Sequence, residues 1–239
     1  MHFTGSRTDI VVVPRPDRIP LSPAQERLWV LYRLDPDDTS YHYGHVIRLH
    51  QAIDPDALRA AVADLLIRHE SLRTVIVDGG DGTDTTGSAA DLVAHQSILP
   101  VEQISEMIGA RTLVEVHTLD DVDDPEAVLG ERARETLTRP FDLRTAPPIR
   151  FRLDLLEKPS ATGTLAGVLT IAAHHIATDE WSDRPMLTDL TAAYLARAAG
   201  TAPDFAPLPV QYADYALWQR DRLIERGDEQ LDFWASTLA

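Results

Sequence analysis

The 239-residue sequence contains no cysteine. That excludes disulfides, thiolate nucleophiles and cysteine-ligated zinc, and it suits a reducing compartment without requiring one. Positive charge is also scarce: 22 Lys and Arg stand against 38 Asp and Glu, a formal net charge of -16. The phosphate backbone of a nucleic acid would be repelled on average, so nucleic acid is not an expected partner. No apolar run approaches the ~18 residues of a membrane span. The opening residues Met1-His2-Phe3-Thr4-Gly5-Ser6-Arg7 lack a charged-then-apolar export pattern. No membrane is expected, and the cytoplasm is the default expectation. Neither HExxH nor a glycine-rich loop closed by Gly-Lys-Ser/Thr occurs, so no metal site and no bound cofactor is expected.

What is present is an ordinary globular composition, 44% hydrophobic, at a length that suits one large domain or a domain and a half. Residues 1–20, with Pro14, Pro16 and Pro20, read as an extended lead-in, and residues 21–239 as the folded unit. Ser22-Pro23-Ala24-Gln25 supplies a capping serine, an N1 proline and a box-closing glutamine for a helix over 22–34. Asp54-Pro55 and Asp124-Pro125 open two more helices. Strands are expected at 44–49, 75–77, 92–99, 113–119 and 149–155, the last alternating apolar and charged residues as a strand with one buried face does. The segment between 99 and 113 could be a short helix. The Gly/Asp/Thr-rich run 78–91 reads as a flexible loop. A helix through Leu187, Leu190 and Tyr194 ends at Gly200, a proline-bearing linker follows, and two further helices are expected around 212–219 and 230–239. Interleaved helices and strands give an α/β class, an α+β sandwich with helices packed on a mixed sheet.

The stretch His174-His175-Ile176-Ala177-Thr178-Asp179-Glu180-Trp181-Ser182 carries the chemistry. It follows the apolar, β-branched run 167–173, a buried strand by pattern, so two imidazoles stand at a strand end. A neutral imidazole there can orient or deprotonate an attacking amine or hydroxyl. Successive strand side chains point to opposite faces, so only one histidine can serve a given site. A bland alternative packs the pair in the core with Asp179 capping a turn. Arg27, Arg73, Trp29, Tyr212 and Trp218 read as scaffold, and the remaining histidines, His45 and His69 included, carry no independent signal.

Several stretches together resemble the condensation domains of nonribosomal peptide synthetases. Ser22-Pro23-Ala24-Gln25-Glu26-Arg27-Leu28-Trp29 resembles the family's first motif, Arg68-His69-Glu70-Ser71-Leu72-Arg73-Thr74 its second, and His174-His175-Ile176-Ala177-Thr178-Asp179 its active-site motif. Tyr212-Ala213-Asp214-Tyr215-Ala216-Leu217-Trp218-Gln219 resembles the fourth, and Pro140-Phe141-Asp142-Leu143 with Pro148-Ile149-Arg150 the segment before the histidine strand. The resemblance implies a chloramphenicol-acetyltransferase-like fold, of which this chain would be the N-terminal lobe. The C-terminal lobe would be absent, the last residues beginning the crossover. It implies that His175 is the catalytic histidine in amide-bond formation between acyl and aminoacyl groups carried as thioesters on phosphopantetheine arms. No cofactor is bound covalently by the chain itself. Peptidyl and aminoacyl carrier proteins are the implied partners, with the missing C-terminal lobe or another copy of the chain completing the site. His174 and Asp179 would be structural, Asp179 pairing with Arg73 in preference to Arg68, and Trp181 and Ser182 would support the site from behind.

One residue departs from the family pattern: Glu180 stands where the family has glycine. A glutamate adds bulk and a negative charge where glycine lets the backbone approach a substrate closely. Either the chemistry of the site is altered or it is lost, and Glu180→Gly is expected to raise any condensing activity. A catalytically degenerate docking module and an acyltransferase using a soluble thioester are the alternatives to a condensing lobe.

Overall fold

The computed structural model describes residues 10–78, 93–120, 123–158 and 165–238. In chain order it contains β1 (Ile19–Pro20), α1 (Pro23–Leu34), β2 (His42–Leu49), α2 (Pro55–Arg68), a 3-10 turn (Glu70–Arg73), β3 (Thr74–Val77), β4 (His95–Ile98), α3 (Val101–Gly109), β5 (Val114–Leu119), α4 (Pro125–Thr138), β6 (Ile149–Leu156), β7 (Gly167–His174), α5 (Glu180–Ala198) and α6 (Tyr212–Leu238). The mixed α/β class is as expected, but the strands form two sheets. A four-stranded sheet has the order β2-β7-β6-β5, antiparallel except for the parallel β5/β6 pair. A smaller antiparallel sheet has the order β1-β4-β3.

The helix starts are where the caps place them. Ser22 accepts from the Gln25 N–H while the Gln25 side chain accepts from the Ser22 N–H, and Asp54 and Asp124 cap the helices whose N1 residues are Pro55 and Pro125. The end of α5 is set by Gly200, whose φ of +78° is open to glycine at no steric cost and lets Thr201 N–H reach the Ala196 carbonyl at 2.9 Å.

Alternation along the strands divides the core. Ile149, Phe151, Leu153, Leu169, Ile171 and Ala173 face α2, α3 and α5 in the main cluster. Each such fully buried large side chain contributes about 1.5–3 kcal/mol of burial free energy. The opposite face of the four-stranded sheet lies under α4, where Ala172 packs with Leu28, Trp29 and Phe141.

This second face corrects the expectation for residues 149–155. Arg150, Arg152 and Asp154 are buried, so β6 is covered on both sides. Beneath α4, Arg132 and Arg152 both donate to Asp154, at 2.8 and 2.9 Å, and compensate its charge, while Arg150 donates to the Pro140 carbonyl at 2.8 Å with its guanidinium 3.7 Å from the Phe141 ring centroid. Charge alternation marked the faces correctly but not their burial, because long-range pairing with α4 is invisible in a local pattern.

Two further expectations change. The separate helices at 212–219 and 230–239 are one helix, α6, continuous to Leu238. No proline interrupts it, and the lone interior Gly227 costs only about 1 kcal/mol relative to alanine. The lead-in has no regular secondary structure over residues 10–18, but its end is built in: Ile19 is buried in β1, and Arg15 bonds both carboxylate oxygens of Asp214, at 2.8 and 3.0 Å, and Glu70 at 2.7 Å. The loop expected over 78–91 falls almost wholly outside the described residues, as do residues 1–9.

Candidate active site

β7 is the innermost histidine-bearing strand, paired on one side with β2 in a register that sets His42 opposite His174 and Tyr43 opposite Ala173. The chain leaves the sheet after His174, turns through 175–179 and enters α5. Three backbone bonds fix the exit: His174 N–H to Pro148 O at 2.9 Å, His175 N–H to Tyr41 O at 2.9 Å, and Ala177 N–H to His174 O at 3.1 Å. The two imidazoles therefore point to opposite sides, as strand geometry requires.

His175 is half-buried and lines an open cleft of about 510 Å³ together with Tyr41, Ser71, Thr178 and Tyr212. Its Nδ1 lies 3.2 Å from the Thr178 carbonyl oxygen. A carbonyl can only accept, so Nδ1 carries the proton and the neutral ring keeps Nε2 as a free acceptor. Its ring stacks on Tyr43, centroids 4.6 Å apart at 21°. A half-buried imidazole that lines a cleft with one nitrogen committed and the other left as an acceptor can take a proton from a nucleophile placed beside it.

His174 faces the layer under α4 and is 4% exposed. Its Nδ1 accepts the Ile176 N–H at 3.0 Å, so its own proton sits on Nε2. The His42 ring lies 5.5 Å away, edge to face, and donates from Nδ1 toward the Leu137 carbonyl at 3.3 Å, one of the orphan carbonyls at the end of α4. Burial pushes the His174 imidazole down to about 4, with the neighbouring His42 and His175 adding to the shift. Burial likewise lowers His42, against the pull of the Leu137 carbonyl. Both are neutral spacers at physiological pH, and His174 holds the turn that carries His175.

The remaining motif residues separate into distinct tasks. Asp179 forms no ion pair with Arg73, which corrects that expectation. It is exposed at the N-cap of α5, where Oδ1 accepts Ser182 N–H at 3.0 Å and Ser182 Oγ accepts Asp179 N–H at 3.1 Å. Asp179 and Ser182 thus form a reciprocal capping box. Arg73 is buried elsewhere, donating Nε to Leu66 O at 3.0 Å and Nη1 to Leu99 O, with Glu70 at 3.8 Å. Its task is to satisfy backbone carbonyls where α2, the 3-10 turn and β4 meet. Arg68 bonds Asp189 at 2.8 Å and the Ala206 carbonyl at 2.6 Å, clamping α2 to α5 and to the segment before α6. His69 shares that Asp189 oxygen at 2.7 Å. Trp181 is 88% exposed on the first turn of α5. Glu180, beside it, is exposed, and the residues lining the cleft do not include it. As the first residue of α5 its side chain stands beyond the cap, where its charge favours the helix N-terminus.

A family model described as the condensation domain matches residues 16–239. The chain belongs to the condensation-domain family. It is similar to the isonitrile lipopeptide synthase of Mycobacterium tuberculosis, 39% identical over 236 residues that cover 96% of this chain and 8% of that protein. It is similar also to the dimodular nonribosomal peptide synthase of Bacillus subtilis, 37% identical over 230 residues, 94% of this chain and 8% of that protein. Among solved structures, the X-domain in its complex with OxyB from teicoplanin biosynthesis superposes with a TM-score of 0.75 at 32% identity, over 98% of this chain and 46% of that one. The starter condensation domain of rhizomide synthetase gives 0.69 at 19% identity, over 94% and 48%, a likeness of fold. The fold is therefore chloramphenicol-acetyltransferase-like, and the chain spans just under half the length of these solved domains.

In this condensation-family chain the structure adds residues that the motifs did not single out as site. Arg27 and Tyr212, read as scaffold, line the cleft, and Tyr212 Oη lies 2.8 Å from Ser22 Oγ, joining α6 to the start of α1. Tyr43 and Tyr41 belong to no motif. Their signal in sequence was only an aromatic flanking the expected strand 44–49, which resembles packing. Among the described residues no group of His, Asp and Glu is arranged to hold a metal ion, and no helix is long and apolar enough to cross a membrane.

Proposed function

We propose that this chain is the N-terminal lobe of a condensation domain that forms an amide bond between an acyl or aminoacyl thioester donor and an amine acceptor, both delivered on the phosphopantetheine arms of carrier proteins. The observation that carries this reading is the His175 imidazole on the wall of the cleft, with Nδ1 held by the Thr178 carbonyl and Nε2 left as its acceptor nitrogen. The acceptor amine attacks the thioester carbonyl and the new C–N bond forms. His175 Nε2 orients the amine and takes the proton it sheds. Collapse of the tetrahedral adduct breaks the C–S bond, and the proton passes to the departing thiolate. The cleft suits an extended arm: it is open, and Ala24, Leu28, Ile176 and Ala177 give it largely apolar walls beside Arg27. Within it, catalysis would lie in bringing donor and acceptor together as much as in proton transfer.

A second lobe is part of this proposal. On the distal half of α6, Ile224, Leu231, Phe233, Trp234 and Leu238 are exposed, an apolar surface of the kind that marks an interaction site. Further sequence, another chain or a second copy would cover it and close the cleft into a tunnel.

The likeness to the X-domain solved with OxyB favours one second reading, in which a lobe of this family docks a partner protein without condensing anything.

The test supplies a carrier-bound acyl thioester and a carrier-bound amine to the chain with and without a companion C-terminal lobe, and detects the amide by mass spectrometry. The condensing reading expects product only with the companion lobe present. Partner binding with no amide from the assembled domain would favour the docking reading.

A further inference from the structure

A histidine held by one hydrogen bond is not thereby aimed. Rotation about χ2 has a broad, roughly two-fold profile, and exchanging the two ring nitrogens turns the base away from its substrate. His175 has one such bond, from Nδ1 to the Thr178 carbonyl at 3.2 Å, and its second constraint is an aromatic face. Tyr43 comes from a different strand, β2, at the register position opposite Ala173, and its ring lies nearly parallel to the imidazole at 4.6 Å and 21°. That separation and tilt are those of a stacked aromatic pair.

Tyr43 is itself braced. Its hydroxyl reaches across the turn to the Asp179 carbonyl oxygen at 3.5 Å, so the phenol lies along the 175–179 segment from the imidazole to the helix cap. His45, next on the same face of β2, meets the Tyr43 ring edge to face at 6.3 Å and 78°, and His45 Nε2 lies 3.1 Å from Asp183 Oδ1 on α5. Burial pushes the Tyr43 phenol up to about 12, so the stacked ring is neutral at physiological pH.

We infer that Tyr43 is the positioning residue for His175: its ring blocks rotation of the imidazole, keeping Nδ1–H on the Thr178 carbonyl and Nε2 turned to the cleft. The inference deepens the reading of His175 as the proton acceptor. It rests on that reading for its meaning in turnover but not for its test.

The test uses the full 239-residue chain, uniformly labelled with nitrogen-15, at neutral pH. Imidazole nitrogen–carbon-bound-proton correlations distinguish the two neutral tautomers, and His175 is assigned by the signals lost in His175→Gln. A single Nδ1–H tautomer is expected in the wild type, together with a nuclear Overhauser contact between the Tyr43 and His175 rings. Tyr43→Phe, which keeps the face and removes the hydroxyl, is expected to leave this pattern unchanged. Tyr43→Met, similar in bulk but without the face, is expected to release His175 into an exchanging mixture in which the Nε2–H form gains, while the His174 signals stay native and report an intact turn.

A locked Nδ1–H tautomer in a folded Tyr43→Met chain overturns the inference, and so does a loss in Tyr43→Phe as large as in Tyr43→Met. Should Tyr43→Met fail to fold, the wild type still decides. Two tautomers there, or no contact between the rings, contradict the inference directly. Failure of the condensing reading shows separately, as amide formation indifferent to His175→Ala while the tautomer pattern holds.

Discussion

The backbone N–H of Ile176 donates to His174 Nδ1 at 3.0 Å, so the first histidine of the pair serves as an acceptor for the turn that presents the second. An acceptor nitrogen cannot hold a proton and keep that bond.

This makes stability sensitive to acid in a defined window. The folded His174 is depressed to about 4 from an ordinary value of 6.5, so above 6.5 it is neutral both folded and unfolded and contributes no pH dependence. Between 6.5 and about 4 the unfolded chain binds a proton that the folded chain does not, and stability falls as pH falls. The loss amounts to on the order of 3 kcal/mol, and His42, lowered in the same direction, adds to it. Urea unfolding at a series of pH values checks this. His174→Asn, whose side-chain oxygen can replace Nδ1 as acceptor, flattens most of the dependence, whereas His174→Phe strands the Ile176 N–H and costs about 1–3 kcal/mol at neutral pH.

Asp179 and Arg73 act independently. Asp179→Ala removes an exposed N-cap and costs about 1 kcal/mol, while Arg73→Leu leaves buried carbonyls of Leu66 and Leu99 without their donor and costs about 3 kcal/mol or more. The double variant is expected to equal the sum to within about 0.5 kcal/mol. Strong coupling between them in urea midpoints would restore the ion pair expected from sequence.

Gly44 is required by close approach. A Cβ there would lie 1.9 Å from the Ile171 carbonyl oxygen on the neighbouring strand and 2.8 Å from a Leu137 methyl group. Since backbone must move, Gly44→Ala is expected to destabilise the chain by about 3 kcal/mol, read as a lowered urea midpoint. A midpoint equal to wild type would mean that β2 and β7 can separate freely.

Glu180→Gly is expected to change condensing rate by less than about threefold, a difference under ~0.7 kcal/mol, because the carboxylate stands outside the cleft lining. Its effect is on α5, where loss of a first-turn acid and gain of glycine cost about 1 kcal/mol. A large rise in rate would show that the glutamate reaches the substrate after all.

The parts of this molecule legible in its sequence are those written locally. Capping boxes, proline at N1 and the β-branched run before His174 placed α1, α2, α4 and β7 nearly to the residue, and strand alternation correctly sent His174 and His175 to opposite sides. What the sequence hid depends on pairing between distant segments. Arg73 looked like a partner for Asp179 because both lie in motifs, yet burial among the Leu66 and Leu99 carbonyls claims it first. The charged face of β6 looked solvated until α4 covered it with Arg132. Tyr43 gave no signal because its register against Ala173, which brings it onto His175, is a property of the sheet.

The most direct measurement of the central claim is the single-turnover rate of amide formation by the assembled domain, wild type against His175→Ala, with carrier-bound donor and acceptor. General-base assistance predicts a loss of about a hundredfold or more with an unchanged urea midpoint. Rates within about threefold of each other in a folded variant would contradict the claim and leave the chain as a docking surface.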